Sequence, residues 1–436
     1  MNLFGTDGIR GTYGSTLTDS TAFLLGKSLA FLGDCPIVVI GRDTRKSGDS
    51  LFSALTHGVY AGGGNVINLG VLPTNAVGHF VRKMGGDYGV MITASHNPPC
   101  DNGLKVFDRY GVKMCQSKQS VVSKMMESLK EEKLSNSKIY EPVFYDIENI
   151  YCEDVLRALK VNLSGLNVAL DCCYGSAYKV APSVFVKAGA NVASFCNSKN
   201  GDKINVDCGA THTEFLLDRI QNGKYHLSFA FDGDADRLAV FEGTQFVPNN
   251  KVFYAIARYL KEKGALLNNA VCGTLLTNGG LEQSLNKLGV DLIRTDVGDT
   301  NVFQGMVKHG LNFGGEESGH YLLCDYATTS DAIINALFVC KIYAEKGSIL
   351  KYSANCVDKP SQTANIAITA TNARQANEDN LALASSRITA LYPDCRIVLR
   401  KSGTEPKIRA YVEGAEAEEA IKQVVATFAE QNPLKR

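Results

Sequence analysis

The chain has 436 residues, and its 45 basic and 45 acidic side chains cancel at pH 7. This length exceeds one ordinary core and predicts three or four domains. The charge balance argues against nonspecific binding to nucleic acid or to an anionic membrane. No apolar stretch reaches the roughly 20 residues of a membrane span, and the first residues lack the pattern of a signal peptide. We therefore expect a cytoplasmic protein with no nucleic-acid or membrane partner.

Short β-branched runs alternate with longer segments of helical period, which is typical of α/β units. We expect strands at 37–40, 65–69, 88–92, 167–170, 192–195, 227–231, 270–276 and 292–294. We expect helices near 20–32, 49–62, 74–84, 177–189, 212–222, 251–263 and 279–288. After a composition shift near residue 360, the pattern predicts strands at 365–369, 395–400 and 407–412, with helices near 376–391 and 415–430.

These elements predict four domains, at 1–150, 151–245, 246–360 and 361–436. The first three are α/β domains of similar plan, and the last is a smaller α+β domain. The thirteen cysteines are irregularly spaced and contain no Cys-x-x-Cys. Buried free thiols in a reducing compartment explain them better than a disulfide framework or zinc.

The first polar motif is the glycine-rich segment 4–11, which contains Arg10. The second, Thr-Ala-Ser-His-Asn-Pro at 93–98, follows a predicted strand directly. Ser95 would therefore lie at the edge where α/β proteins bind ligands, with His96 beside it and Lys105 a short distance along the chain. The Gly-x-Ser-x-Gly elbow of many hydrolases is missing, so a phosphate carrier is the better functional interpretation. A plain polar turn is the alternative.

The most informative motif is Phe-Ala-Phe-Asp-Gly-Asp-Ala-Asp-Arg at 229–237. In an extended segment, alternate side chains point the same way, so Asp232, Asp234 and Asp236 are expected to converge. Two unit charges about 4 Å apart repel by about 4 kcal/mol at an effective dielectric constant of about 20. The trio therefore favours a cation, and carboxylate oxygens suit Mg²⁺.

Other interpretations of this motif can be weighed on the same residues. A calcium EF-hand counted from Asp232 needs glycine at its sixth position and glutamate at its twelfth. Those positions are Arg237 and Gly243, which excludes the EF-hand. An enzyme that forms an aspartyl-phosphate on Asp232 remains open, and so does a solvated acidic turn.

Two further motifs carry groups suited to a sugar phosphate. In the segment 314–320, Glu316 and Ser318 can bind vicinal hydroxyls, and His320 can exchange protons near neutral pH. In the segment 400–409, backbone amides, hydroxyls and guanidiniums can cradle a phosphate. The groups of that cradle are Arg400, Ser402, Gly403, Thr404 and Arg409. A flexible polar loop and a basic hairpin turn are the respective alternatives.

Together and in this order, the motifs resemble those of the α-D-phosphohexomutases along essentially the whole chain. The resemblance implies a heart-shaped, four-domain fold, with three similar α/β domains that have mixed sheets and a smaller C-terminal α+β domain. The segments 4–11, 93–98, 325–329 and 400–406 most resemble the branch that acts on glucosamine phosphates. That branch interconverts glucosamine 6-phosphate and glucosamine 1-phosphate, and so supplies UDP-N-acetylglucosamine for cell-wall synthesis.

The resemblance also implies residue roles. Ser95 would be the phosphorylated serine and a Mg²⁺ ligand beside the three aspartates, and the sugar would pass through a bisphosphorylated intermediate. Arg10 and Lys105 would contact the transferring phosphoryl group, and His320 would assist proton transfer. Glu316 and Ser318 would bind sugar hydroxyls, and the cradle at 400–409 would hold the other phosphate. We add His96 to the candidate catalytic residues and Arg237 to the substrate-binding ones, and we expect a monomer or homodimer.

Two residues depart from the pattern of that branch. Glu317 stands where the branch carries glutamine, and Thr300 stands where it carries arginine. Glutamate is commoner in relatives that act on glucose and mannose phosphates, so phosphomannomutase/phosphoglucomutase activity is the second interpretation. Alternatives of another class are an aspartate-dependent phosphatase, which would leave Ser95 unmodified, and a non-catalytic sugar-phosphate sensor, which would tolerate loss of Ser95.

Overall fold

The structure is a computed structural model that describes residues 3–5, 7–131, 146–221, 223–369, 372–402 and 406–429. The first domain contains β1 (Ile9–Thr12), α1 (Asp19–Ala30), β2 (Ile37–Arg42), α2 (Gly48–Ala61), β3 (Asn65–Val71), α3 (Thr74–Met84), β4 (Tyr88–Ile92), β5 (Asp101–Asp108) and α4 (Gln116–Ser128). Its sheet has the order β1-β5-β4-β2-β3. Strand β2 is parallel to β3 and β4, whereas β5 is antiparallel to β4 and β1.

The second domain repeats this plan. It contains α5 (Ile147–Leu159), β6 (Asn167–Asp171), α6 (Val180–Lys187), β7 (Asn191–Phe195), α7 (Glu214–Ile220), β8 (Leu227–Phe231), β9 (Leu238–Glu242) and β10 (Gln245–Val247). The sheet order is β10-β9-β8-β6-β7. Strand β6 is parallel to β7 and β8, and β9 returns antiparallel to β8.

The third domain has the same order of strands in a smaller sheet, β12-β11-β13-β14. It contains α8 (Asn249–Glu262), β11 (Ala270–Thr274), α9 (Gly279–Lys287), β12 (Asp291–Thr295), α10 (Asp299–His309), β13 (Phe313–Gly315), β14 (Tyr321–Leu323), α11 (Ala332–Lys346) and α12 (Ile349–Tyr352). The fourth domain contains β15 (Ser361–Ala367), α13 (Glu378–Leu391), β16 (Arg396–Lys401), β17 (Lys407–Glu413) and α14 (Ala417–Ala429). Its three strands, in the order β15-β17-β16, are all antiparallel.

Four of the five motifs singled out in the sequence lie where two antiparallel neighbours meet, whereas the segment 4–11 leads into the edge strand β1. The four connections are 93–100 between β4 and β5, 232–237 between β8 and β9, 316–320 between β13 and β14, and 402–406 between β16 and β17. Strand pairing therefore fixes both ends of these four segments. The α/β fold with mixed sheets and a smaller C-terminal domain is confirmed.

Asp331 joins the first three domains. It caps α11 by accepting from the N–H groups of Ile333 and Ile334, at 3.0 and 3.1 Å. Its Oδ2 also accepts from Asn75 Nδ2 at 3.0 Å and from the Tyr151 hydroxyl. Apolar side chains of the three domains form one continuous buried cluster around this point. The cluster holds the first three site segments in a fixed relation.

Most of the strands and helices expected from sequence are present within a few residues. The strand expected at 365–369 is β15, displaced toward the N-terminus, and the strand expected at 270–276 ends at Thr274. The sequence did not predict strands β1, β5, β9, β10, β13 and β14 or helices α4, α5, α10, α11 and α12. No helix in the described ranges combines the length and apolar character needed to cross a membrane.

Candidate active site

The loop between β4 and β5 presents Ser95. This residue is 2% exposed and has a φ of 52°, a left-handed conformation that residues other than glycine seldom adopt. Its N–H donates to Thr93 Oγ1 at 2.9 Å, and its hydroxyl donates to Asp232 Oδ2 at 2.8 Å. The serine of the first domain thus contacts the acidic motif of the second. Such strain persists only where the surroundings enforce it, and it is common at functional sites.

Arg45, which the sequence analysis did not single out, holds the backbone of this loop. Its side chain has no exposed surface and pairs with Asp43 at 3.0 Å. It donates to four backbone carbonyl oxygens, those of Ser95, Asn97, Pro98 and Asp101. One buried cation therefore supplies hydrogen bonds to four carbonyl groups of the loop around the serine.

Asn205 of the second domain supports the same loop from the other side. Its Nδ2 donates to the carbonyl oxygen of Ser95 at 2.8 Å and to that of Asn97 at 3.1 Å. The Ser95 carbonyl is therefore shared between Arg45 and Asn205. This arrangement fixes the serine against the second domain as well as within its own.

The three aspartates lie in the connection between β8 and β9, and the expectation that this segment is extended is wrong. The chain turns at Ala235, which has a φ of 57°. Asp232 Oδ1 accepts from the N–H groups of Asp236 and Arg237, each at 3.1 Å. The carboxylates converge nevertheless, because one oxygen from each of Asp232, Asp234 and Asp236 lies within 4.8 Å of the others. Convergence comes from the turn and not from strand periodicity.

The acidic trio fits a divalent cation. All three side chains are buried. Burial, and then the charges of Asp236 and Asp234, raise the pKa of Asp232 well above its ordinary value. Among the described residues, Oδ1 of Asp234 and Oδ1 of Asp236 are buried without a hydrogen-bond partner. Unpaired buried carboxylate oxygens are costly, and a cation bound by oxygen ligands would offset that cost.

Lys105 balances part of this charge. Its Nζ lies 2.7 Å from Asp234 Oδ2, 3.2 Å from Asp236 Oδ2 and 3.1 Å from Asp7 Oδ2. Burial alone would lower the pKa of Lys105, but the carboxylates of Asp234 and Asp7 raise it well above its usual value. The ammonium group therefore stays charged. Arg10 forms an ion pair with the same Asp7.

A second cation missed from the sequence, Lys113, extends the network to the third domain. Its Nζ lies 2.6 Å from Asp7 Oδ1 and also pairs with Asp299. His320 Nε2 lies 3.5 Å from Asp299 Oδ2 and 3.8 Å from Asp236 Oδ2. Within the described part of the chain, both ring nitrogens of His320 are buried without a hydrogen-bond partner. They are thus available to a ligand.

His96 lies beside the serine, with Nδ1 3.4 Å from Ser95 Oγ. Burial, followed by the positive charges of Arg237 and Arg10, lowers the pKa of His96 to about 4. The ring is therefore neutral at pH 7. It can exchange a hydrogen bond with the serine oxygen, but it adds no positive charge to the site.

The loop between β13 and β14 faces this cluster. The N–H of Glu316 donates to the His320 carbonyl at 2.9 Å, and burial raises the pKa of the Glu316 carboxyl. Burial alone would lower the pKa of Arg237, but nearby carboxylates, with Asp232 first, raise it. Ser318 Oγ is buried without a partner in the described ranges. One ligand could therefore bind to the Glu316 and Ser318 side chains of this loop and to Arg237, whose charge Glu316 influences.

Glu317 occupies a different place from its neighbours. Its carboxyl lies near the backbone of Asn278, the N-cap residue of α9, and near Glu413 of the fourth domain. Burial raises the pKa of Glu317 to about 7. The side chain therefore lies at the junction of the third and fourth domains.

The phosphate cradle is described in part. Arg400 and Arg409 are direct partners across β16 and β17. Burial, and then the charge of Arg409, lower the pKa of Arg400, and Glu316 opposes this shift. Ser402 is buried, and its N–H donates to the Lys407 carbonyl at 2.8 Å. The other two predicted cradle residues, Gly403 and Thr404, lie outside the described residues.

The structure thus gathers one central cluster and one distal group. The central cluster contains Arg10, Ser95, His96, Lys105, Asp232, Asp234, Asp236 and His320. Glu316 connects it electrostatically with the distal group around Arg400. Of the missed residues, Asp43 and Arg45 carried a usable signal, because they directly follow strand β2 at the same sheet edge as Ser95.

Family models match all four domains. Models described as phosphoglucomutase/phosphomannomutase alpha/beta/alpha domains I, II and III match residues 1–133, 149–245 and 248–359. A model described as the phosphoglucomutase/phosphomannomutase C-terminal domain matches residues 366–431. The matches follow one another in chain order, which agrees with the four sheets.

Relatives and solved structures match nearly the full chain. A phosphoglucosamine mutase of Thermotoga neapolitana is 39% identical over 422 residues, 95% of either chain. One of Carboxydothermus hydrogenoformans is 36% identical over 98% of this chain and 99% of its own. A phosphoglucomutase/phosphomannomutase family structure from Burkholderia thailandensis gives a TM-score of 0.81 at 22% identity over 98% of both chains. An Aspergillus fumigatus N-acetylphosphoglucosamine mutase gives 0.68 at 19% identity over 98% of this chain and 95% of its own.

The four domains and the cluster of serine, acids and lysine define a phosphohexomutase. This class implies a divalent metal, and the acidic trio fits one. Within the class, the chain belongs to the phosphoglucosamine mutase family. The resemblance identified in the sequence is therefore confirmed.

Proposed function

We propose that this chain interconverts glucosamine 6-phosphate and glucosamine 1-phosphate by way of a phosphoserine at Ser95. The observation that carries the proposal is the 2.8 Å contact between the Ser95 hydroxyl and Asp232, inside a buried trio of carboxylates. A serine oxygen in that position can share a cation with the trio. The relatives' names supply the amino sugar.

Phosphoryl transfer requires charge on the phosphoryl oxygens to be offset. Mg²⁺, held by Ser95 Oγ and the three aspartates, would supply positive charge beside the serine oxygen. Lys105 and Arg10 lie at the same place and add fixed positive charge. In the forward step, the bond from phosphorus to Ser95 Oγ breaks as a bond from a sugar oxygen forms. In the return step, the other phosphate of the bisphosphorylated sugar passes back to Ser95.

The sugar hydroxyl must lose its proton as it attacks. His320 is the best-placed acceptor, because its ring nitrogens are buried without partners among the described residues and lie close to Asp299. Glu316 and Ser318 would orient the ring by its hydroxyls. Arg400 and Arg409, with the segment between them, would hold the phosphate that is not being transferred, at either end of the sugar.

An aspartyl-phosphate on Asp232 is less well supported by the geometry. Oδ1 of Asp232 accepts two backbone N–H groups and Oδ2 accepts the Ser95 hydroxyl. Both oxygens are therefore engaged, and a carboxylate so engaged is a poor nucleophile. The serine oxygen, by contrast, donates its proton to Asp232 and has only a long contact of 3.4 Å with His96 Nδ1.

The carrier is tested with Ser95→Ala. We expect intact mass and ³¹P spectra to show phosphate on the wild type and on the control Ser120→Ala, which changes an exposed serine of α4. Ser95→Ala should lose both the phosphate and the mutase activity. Full phosphate occupancy in Ser95→Ala would place the carrier elsewhere.

The substrate is tested by competition among glucosamine 1-phosphate, glucose 1-phosphate and mannose 1-phosphate. We expect the highest kcat/KM for the amino sugar. A higher value for glucose or mannose phosphate would support phosphomannomutase/phosphoglucomutase activity, which is the second interpretation of the sequence. Because Glu317 lies against α9, Glu317→Gln should change the ratio of the three rates little.

A further inference from the structure

The second domain contains a group of buried thiols beside a buried carboxylate, at a place that the proposed reaction does not use. Asp171 ends β6, Cys196 follows β7, and Cys208 lies in the segment before α7. None of the three is more than 8% exposed. One oxygen of Asp171 and the sulfurs of Cys196 and Cys208 all lie within 4.8 Å of one another.

A fourth sulfur adjoins this group. Cys173 is fully buried and packs with Cys196 and Cys208 in one cluster. Its thiol donates to Asn205 Oδ1 at 3.1 Å and lies 3.7 Å from the carbonyl oxygen of Cys208. One carboxylate and three sulfurs therefore meet at the carboxyl ends of two neighbouring parallel strands.

We propose that Asp171, Cys173, Cys196 and Cys208 form a structural zinc site in the second domain. Tetrahedral zinc binds sulfur at about 2.3 Å, which places ligand atoms about 3.8 Å apart. The spacing among Asp171, Cys196 and Cys208 needs only a small adjustment to reach that value, and Cys173, which packs against both of the other cysteines, would supply the fourth ligand. Three thiolates and one carboxylate carry the same total charge as the four thiolates of a Cys₄ site, which zinc accepts in proteins.

The groups around the cluster suit an anionic centre. Asp171 accepts from the N–H groups of Cys173 at 2.9 Å and Gly209 at 2.6 Å, which orients its carboxylate. The Tyr174 hydroxyl lies near the Cys196 sulfur, and the Lys203 ammonium lies 6.0 Å from the centre of the Tyr174 ring. Such outer partners commonly orient metal ligands and tune the metal.

The backbone of the cluster is also held in an unusual conformation. Cys173, Tyr174 and Cys196 have φ values of 56°, 50° and 49°. Left-handed backbone at three such residues costs of order 1 kcal/mol or more each and brings the sulfurs to one point. Without a metal, the hydrogen bond with Cys208 and then burial raise the pKa of Cys196, so the thiols stay protonated. Zinc would replace those protons.

The site would brace the active-site serine from behind. In the metal-free protein the Cys173 thiol donates to Asn205 Oδ1, and Asn205 donates to the carbonyl of Ser95. Zinc would take the place of that thiol proton, so the metal would fix this segment through Cys208, which follows Asn205 by three residues. The expected effect is therefore on stability first and on activity second.

The test uses the full-length protein and two metals. After dialysis against Mg²⁺, we expect about one zinc per chain by mass spectrometry, as four-ligand structural sites hold their metal tightly. Co²⁺ should give the intense visible bands and near-ultraviolet charge transfer of tetrahedral thiolate coordination. The acidic trio cannot give this signal, because its ligands are oxygens. Zn²⁺ should raise Tm, and a chelator should reverse that rise.

Cys196→Ser and Cys208→Ser should each lose the cobalt signal. Asp171→Asn should weaken zinc binding by more than roughly 10–100-fold, which is the cost of losing a residue that only hydrogen-bonds a metal ligand. The matched controls are Cys35→Ser and Cys100→Ser, which change exposed cysteines and should keep the signal. If a thiol variant fails to fold, the proposal is tested instead by the dependence of the wild-type Tm on zinc and by the zinc affinity of Asp171→Asn. Absence of uptake, a signal that survives both thiol variants, or a Cys196–Cys208 disulfide in protein purified under reducing conditions would overturn the proposal.

Discussion

The carbonyl oxygen of Ser95 accepts one hydrogen bond from Arg45 at 2.9 Å and a second from Asn205 at 2.8 Å. Arg45 belongs to the first domain and Asn205 to the second, so the serine is clamped between them. Its hydroxyl is thereby held toward Asp232. The position of the Ser95 hydroxyl against Asp232 therefore depends on the buried side chains of Arg45 and Asn205.

Arg45→Lys should therefore damage both stability and catalysis. Lysine keeps the charge but cannot reproduce the planar fork that serves four carbonyl groups. Because buried Asp43 loses its guanidinium partner and four buried carbonyl groups lose donors, we expect a loss of about 3–5 kcal/mol in the free energy of unfolding and a lower phosphate occupancy of Ser95. Urea unfolding and intact mass measure these two quantities.

The control is Arg109→Lys. Arg109 is exposed and pairs with Asp87 at 2.8 Å, and exposed pairs contribute about 0–1 kcal/mol. If both variants lost stability equally, the special role of Arg45 would be refuted.

Divalent cations should stabilise the protein through the acidic trio. Bound cation offsets the repulsion among Asp232, Asp234 and Asp236, so Mg²⁺ should raise Tm in a concentration-dependent way. Asp234→Asn removes one ligand charge, and we expect it to reduce the response of Tm to Mg²⁺, while loss of the ion pair with Lys105 lowers Tm without metal. Differential scanning calorimetry at constant ionic strength measures both.

Asp34→Asn, which changes an exposed loop residue, should leave the metal response unchanged. An equal response to Mg²⁺ in Asp234→Asn and wild type would show that the cation binds elsewhere.

Glu317 should make stability depend on pH near neutrality. Its pKa is raised from 4.5 to about 7 by burial, so the folded state holds the proton more tightly than the unfolded state. The stability that this group contributes is complete below pH 4.5 and is lost as pH rises to about 7. Glu317→Gln should therefore be more stable than wild type above pH 7, by about 1–3 kcal/mol, and equal to it near pH 4.5.

Urea unfolding from pH 5 to pH 8 tests this difference. The control Glu419→Gln changes an exposed residue of α14 and should show no such trend. A constant difference between Glu317→Gln and wild type at all pH values would contradict the assigned titration.

Glu413 should anchor the fourth domain on the third. Its carboxylate accepts from the Gly279 N–H at 2.9 and 3.1 Å, from the Tyr411 hydroxyl at 2.8 Å and from Arg396 at 3.0 Å. Burial alone would raise the pKa of Glu413, but these bonds lower it. Its stabilising contribution is therefore present above pH 4.5 and is lost as pH falls through the lower folded pKa.

Glu413→Gln should cost about 1.5–3 kcal/mol, the usual worth of hydrogen bonds to a charged group. Limited proteolysis near residue 360 should become faster, because the junction opens more often. Glu418→Gln, on the exposed face of α14, is the matched control and should be cleaved at the wild-type rate.

The sequence predicts those parts of the site that are local in the chain. Ser95 and the three aspartates belong to short runs that directly follow apolar strands, so pattern alone indicates them. Arg45 was missed because its partners are backbone carbonyls about fifty residues away, as its bond to Ser95 illustrates. The convergence of the aspartates was predicted for the wrong reason, since a turn at Ala235 produces it.

The missed elements have equally physical explanations. Strands β13 and β14 have three residues each, too few to show a period of two. Helix α11 is buried over ten of its fifteen residues, so it lacks the one-sided apolar stripe that identifies a surface helix. Strand pairs that are distant in sequence and helices that are buried on all sides produce no clear hydrophobic period over a short stretch of sequence.

Four of the candidate site loops connect two strands that pair with each other. Side chains at their tips, such as that of Ser318, can therefore be exchanged while the ladder hydrogen bonds keep the sheets in register. In this fold the residues that contact the ligand lie in loop tips, and the residues that hold the sheet together lie in the paired strands. New sugar preferences can arise at the tips at little cost to the framework that carries them.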